Sequence, residues 1–175
     1  FCVMQIPGDL HELTYETVMR EHIFLVCHRD HPLLQGISST YDDPRPFPDL
    51  RLLEHERVIM LPAGWRLSKL LYNTFSVHSV EPQNILVTTN TTTAINLAAE
   101  KLGFAFLQES GVSRTPYLDR LACFTLGEPP LTCALAVVYK KNGFLSPAAR
   151  AFIDLIREFY SRYDRTPEQP ASNLC

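Results

Sequence analysis

Short apolar runs alternating with segments of helical period set the class of fold open to this chain. Ile23-Phe24-Leu25-Val26 is apolar on both faces of an extended backbone, the pattern of a buried parallel strand. Val58-Ile59-Met60-Leu61 and Phe104-Ala105-Phe106-Leu107 repeat it. Between them Leu67, Leu70, Leu71 and Phe75 recur at helical spacing, as do Ala94, Ile95, Leu97, Ala98 and Leu102, with Gly103 expected as the C′ stop of the second helix. Strands alternating with helices predict an α/β architecture.

The flanking segments fit the same frame. Phe1-Cys2-Val3-Met4 is strand-like and Pro7-Gly8-Asp9 marks a turn. From His28 to Asp49 the prolines at 32, 44, 46 and 48 exclude a central strand, leaving a loop or short-helix connection. Ile85-Leu86-Val87 and Leu131 to Tyr139 read as further strands. Ser146-Pro147 opens a last helix, with serine as N-cap and proline at N1, where no N–H is missed. Its Phe152, Ile153, Ile156, Phe159 and Tyr160 are expected to face inward. The polar tail after Tyr163 is expected to be disordered.

Composition excludes several functions. The 175 residues suffice for one globular domain or two small lobes. Sixteen basic and 19 acidic side chains give a net charge of −3 and no cationic cluster, so the chain by itself is not expected to bind DNA. Five cysteines, odd in number and far apart, sit mostly in apolar runs and point to a reduced, cytoplasmic setting. There is neither a membrane-length apolar run nor a signal peptide, and the abrupt strand-like start reads as a chain cut from something longer.

In open α/β sheets ligands bind outside the carboxyl ends of strands, where helix N-termini offer N–H groups. Gly64-Trp65-Arg66 sits between a strand and a helix and offers backbone access, a stacking face and a guanidinium fork; its plain reading is a tight turn with a solvated arginine. Thr89-Asn90-Thr91-Thr92 offers hydroxyls, an amide and backbone donors before a helix, or simply an N-cap. Gln108, at a strand end, is a third candidate. His28, Asp30 and His31 beside Cys27 have a superficial likeness to a metal cluster, but His31 before Pro32 is better read as structural. Gln108-Glu109-Ser110-Gly111 lacks the nucleophile elbow. No metal, cofactor or catalytic residue is expected.

Four ordered stretches carry a family resemblance. They are Glu21 to Leu33, which runs into a His-Pro pair; Val58 to Arg66; Leu97 to Leu107; and Val137 to Lys141 followed by Leu145 to Ile153. Together they resemble the effector-sensing domain of bacterial LysR-type transcriptional regulators. The resemblance implies a two-lobed, periplasmic-binding-protein-like (type 2) α/β fold with mixed sheets, whose crossings lie near residues 23–28 and 134–139. Residues 1–28 and 134–163 would form an incomplete first lobe, residues 29–133 the second, and 164–175 a disordered tail. It further implies a non-enzymatic domain that binds a small, anionic effector in an interlobe cleft. The signal would pass to a winged helix-turn-helix DNA-binding domain, absent here, through a homodimer or tetramer without membrane contact. The positions of Asn90 and Thr91 face the cleft in that family. Two alternatives share the fold. A transport system's solute-binding protein is disfavoured by the missing signal peptide, the odd cysteines and His-Pro-Leu. A deaminase- or dehydratase-like enzyme would need an acid–base pair that these residues do not assemble.

Overall fold

The computed structural model describes residues 1–6 and 12–161; the expected turn at Pro7-Gly8-Asp9 and the tail lie outside the described residues. The chain divides into two compact units, Phe1–His22 with Thr132–Cys175, and Ile23–Leu131. The first division falls inside strand β2 (Leu13–His28), where the sequence reading places it after His28. From Ile23 onward β2 changes partners, leaving the C-terminal strand β8 (Thr132–Lys140) for β6 (Phe104–Gln108) and β7 (Leu121–Thr125).

In the Ile23–Leu131 unit, β2 lies between β6 and β7. Beyond β6 come β4 (Arg57–Met60) and the edge strand β5 (Asn84–Val87); beyond β7 is the two-residue β3 (Arg45–Pro46). The expectation of a parallel Ile23–Val26 strand is corrected: β2 is antiparallel to both neighbours, while β4 runs parallel to β5 and β6. An all-apolar run reports burial of both faces, and that follows from a central position with cover on each side rather than from strand direction. Phe24, Val26, Ile59, Ala105 and Leu107 pack with Ala94, Ile95 and Ala98 of helix α2 (Thr91–Ala99). On the alternate face the Phe106 ring meets Phe75 of helix α1 (Arg66–Val77) at 5.5 Å, and Phe47 meets Phe124 at 5.3 Å. Burying each such side chain contributes roughly 1.5–3 kcal/mol.

Gly103 is not the C′ residue of α2. The helix ends at Ala99, and Lys101 takes the left-handed conformation (φ 62°). Leu102 N–H donates to Leu97 O (2.9 Å) and Lys101 N–H to Ala98 O (3.2 Å), the Schellman pattern. Glycine is required at 103 for other reasons: its φ is +146°, and a Cβ there would run into the Arg57 carbonyl.

In the other unit β8 pairs antiparallel with β1 (Cys2–Gln5) on one side and the first half of β2 on the other, with a bulge between Thr17 and Met19. Ser146 caps helix α4 (Pro147–Ser161) as expected, accepting Ala149 N–H at 3.2 Å. Its inward face is narrower than periodicity suggests. Ile153 is buried against Val18 and Val137 with Ile156 and Tyr160 alongside, but Phe152 and Phe159 are 55% and 51% exposed. Those two share a second apolar stripe with Leu155, turned off the sheet. Among the described residues no helix is long and apolar enough to cross a membrane.

Candidate functional site

Because β4, β5 and β6 are parallel and adjacent, their carboxyl ends share one edge of the sheet, with neighbouring strands about 4.8 Å apart. Each strand runs into a helix: β4 through Leu61–Trp65 into α1, β5 through Thr88–Asn90 into α2, and β6 directly into the single-turn α3 (Glu109–Val112). All eight residues singled out in the sequence therefore lie on or beside this edge. Gly64, Trp65 and Arg66 come from the first connection, Thr89, Asn90, Thr91 and Thr92 from the second, and Gln108 ends β6.

The first connection is tied by two hydrogen bonds. Trp65 N–H donates to Pro62 O (2.9 Å), and the buried Ser68 hydroxyl donates to Leu61 O (2.8 Å). Trp65 is the N-cap of α1 but has no side-chain acceptor for the first helical N–H groups, and it is 46% exposed. A Cβ at Gly64 would meet nothing within 4 Å, so this glycine, unlike Gly103, is not demanded by crowding. Arg66 forms no ion pair among the described residues.

The second connection is capped from within. Asn90 Oδ1 accepts Thr93 N–H (3.0 Å), and Thr88 Oγ1 accepts Asn90 N–H (3.2 Å). Asn90 thus does the plain capping job, while Thr89 and Thr92 stay exposed and the N–H groups of Thr91 and Thr92 precede the helix's own acceptors. Two helix N-termini and an arginine on one edge favour negative charge. Sequence reasoning missed Ser68 and Thr88. Both look like ordinary helix or strand-end residues until their partners, Leu61 and Met60, are placed.

The histidines near Cys27 work separately. His28 Nδ1 accepts Asp30 N–H (3.1 Å), whereas His31 caps the short 3-10 turn Pro32–Leu34, accepts Leu33 N–H (3.3 Å) and sets its ring on Phe104 (4.6 Å). Among the described residues no group of three or more His, Cys, Asp or Glu side chains is placed to hold a metal ion. Burial pushes the Cys27 and Cys123 thiols up to about 12, so neither is a thiolate at neutral pH.

The family model of the LysR substrate binding domain matches residues 1–161. The chain belongs to this family. As a LysR substrate-binding domain it is 23% identical over 142 residues to the HTH-type transcriptional regulator YybE of Bacillus subtilis, a match covering 81% of this chain and 44% of YybE. The chain thus spans less than half the length of that relative. Its fold is similar to the regulatory domain of Synechocystis CcmR in complex with 2-PG (TM-score 0.72, 20% identity, 93% of this chain and 74% of that one). It is also similar to the effector-binding domain of BenM with benzoate (0.71, 21%, 95% and 71%) and that of QuiR with shikimate (0.70, 16%, 93% and 72%). The domain has the mixed α/β, periplasmic-binding-protein-like (type 2) fold of those effector-binding domains.

Proposed function

We propose that this LysR substrate-binding domain senses a small anionic metabolite at the carboxyl edge of the β5-β4-β6 sheet, as the regulatory part of a transcription factor. The observation that carries the reading is the convergence on that edge of the α1 and α2 N-termini with Arg66, which has no ion-pair partner among the described residues. Benzoate and shikimate, bound by the BenM and QuiR domains, are both carboxylates and suit such an edge. The domain is a sensor and not a catalyst: Thr89, Asn90, Thr91, Thr92 and Gln108 donate and accept hydrogen bonds but do not shuttle protons near neutral pH. Binding must favour one arrangement of the protein over another to carry a signal. That signal passes to a helix-turn-helix domain, as in a cytoplasmic homodimer or tetramer, and DNA is contacted only through that domain.

The chain's single tryptophan, Trp65, lies at the site and serves as its own reporter. A thermal-shift screen of small carboxylates, amino acids and aromatic acids, benzoate and shikimate included, identifies the binder, and Trp65 emission then gives its affinity. Arg66→Ala and Asn90→Ala are each expected to weaken binding by about tenfold or more, since a hydrogen bond to a charged group contributes roughly 1.5–3 kcal/mol. Unchanged affinity in both variants removes these connections from the site.

A further inference from the structure

We infer that Thr88 is a positioning residue for this site, setting where Asn90 and the first turn of α2 stand relative to the end of β4; the inference rests on reading this edge as the effector site. The β4/β5 register closes with Met60 opposite Val87, and Thr88 extends it by one bond, its N–H donating to Met60 O at 3.0 Å. The same residue's hydroxyl oxygen accepts Asn90 N–H at 3.2 Å, and Asn90 Oδ1 accepts Thr93 N–H at 3.0 Å. An unbroken relay therefore runs from the last residue of β4 to the first turn of α2. The next residue of β4's chain, Leu61, is held in turn by the fully buried Ser68 hydroxyl of α1 at 2.8 Å. Met60 and Leu61 are thus the shared anchor of both connections, one gripped from α2's approach and the other from α1. A ligand bridging Arg66 and the α2 N-terminus reads the spacing between them, and a displacement of 1 Å is enough to spoil a charge-assisted hydrogen bond. The contribution argued for Thr88 is through Asn90, whose N–H its hydroxyl oxygen accepts within the same connection.

The isosteric Thr88→Val keeps the backbone bond to Met60 and removes the acceptor, while Thr88→Ser keeps both. In the unliganded chain, amide hydrogen exchange at Asn90 and Thr93 is expected to quicken about tenfold in Thr88→Val, equivalent to ~1.4 kcal/mol, and to return to the parent rate in Thr88→Ser. The melting midpoint should stay within about 3 °C in both variants. Affinity for benzoate or shikimate, whichever quenches Trp65, should fall severalfold in Thr88→Val and recover in Thr88→Ser. Unchanged exchange at Asn90 and Thr93 overturns the brace whatever the ligand. Faster exchange with unchanged probe affinity in Thr88→Val overturns the positioning role. Unchanged affinity in Arg66→Ala as well puts the failure in the site reading itself.

Discussion

At the amino edge of the strands in the Ile23–Leu131 unit two carboxylates stand beside cations, while Arg57 at the start of β4 has no ion pair among the described residues. Asp30 lies 3.6–3.8 Å from His28, Arg29 and Lys101, and Arg120 pairs with Glu100 at 3.0 Å. The carboxyl edge of the same sheet carries Arg66 without such a partner among the described residues, an open space at Gly64 and a half-exposed Trp65. Strand direction explains the contrast. Helices following parallel strands turn their N-termini to the carboxyl edge and their C-termini to the amino edge, so Lys101 and Arg120 complement the end of α2 where it stops. The exposed pairs among them contribute little stability singly. One edge is crowded at Gly103 and sets cations beside Asp30 and Glu100. The other keeps donors and a cation available, as the proposed function requires.

The sharpest way to break this contrast is to put the same methyl group at both edges. Gly103→Ala forces a Cβ toward the Arg57 carbonyl at φ +146°, and should cost about 3 kcal/mol in urea unfolding or prevent folding. Gly64→Ala enters open space and should change stability by no more than about 0.5 kcal/mol. Equal costs at the two positions would mean that the carboxyl edge is packed as tightly as the amino edge. A smaller effect separates two residues of the carboxyl edge itself. Asn90→Ala removes the acceptor of Thr93 N–H and should cost about 1 kcal/mol. Arg66→Ala should cost less than about 0.5 kcal/mol, since it breaks no ion pair among the described residues. Both are expected to weaken anion binding under the proposed function, and of the two Asn90 alone should also lower stability. A large loss of stability in Arg66→Ala would contradict its description as uncommitted.

What was legible in the sequence follows the same physics. β4, β6 and α1 are dictated by local apolar pattern, and the strand-to-helix order alone places Gly64–Arg66 and Thr89–Thr92 at strand ends. That those ends are neighbours depends on β4 pairing with both β5 and β6, a long-range fact no local pattern states. Thr88 carries no local signal for that reason, its partner Met60 being far back in the chain. The residue type of Gly103 marks a constraint but not its source, because the obstacle is Arg57 on another strand and not the helix it follows. Phe152 and Phe159 show the opposite error. Helical period marks apolar stripes, but it cannot say which of two stripes meets the sheet.

The smallest expected effect lies at the amino edge and tests whether its charges are tuned by burial. Burial holds His28 below its ordinary pKa of 6.5, and Lys101, Arg120 and Arg29 push the same way against Asp30. The folded protein therefore binds this proton less readily than the unfolded chain does. His28 contributes its full stability above pH 6.5, where both states are neutral there. As pH falls below that value the unfolded chain takes up the proton first, and stability declines until the folded pKa is passed. Urea unfolding of the parent and of His28→Asn, whose side-chain oxygen stands where Nδ1 does and can still accept Asp30 N–H, isolates the contribution of His28. The parent should lose more stability than the variant as pH is lowered from 6.5, with parallel curves above it. Parallel curves throughout would show that His28 titrates alike in both states. The proton affinity of the buried histidine would then contribute nothing to the amino edge, leaving its packing and its ion pairs.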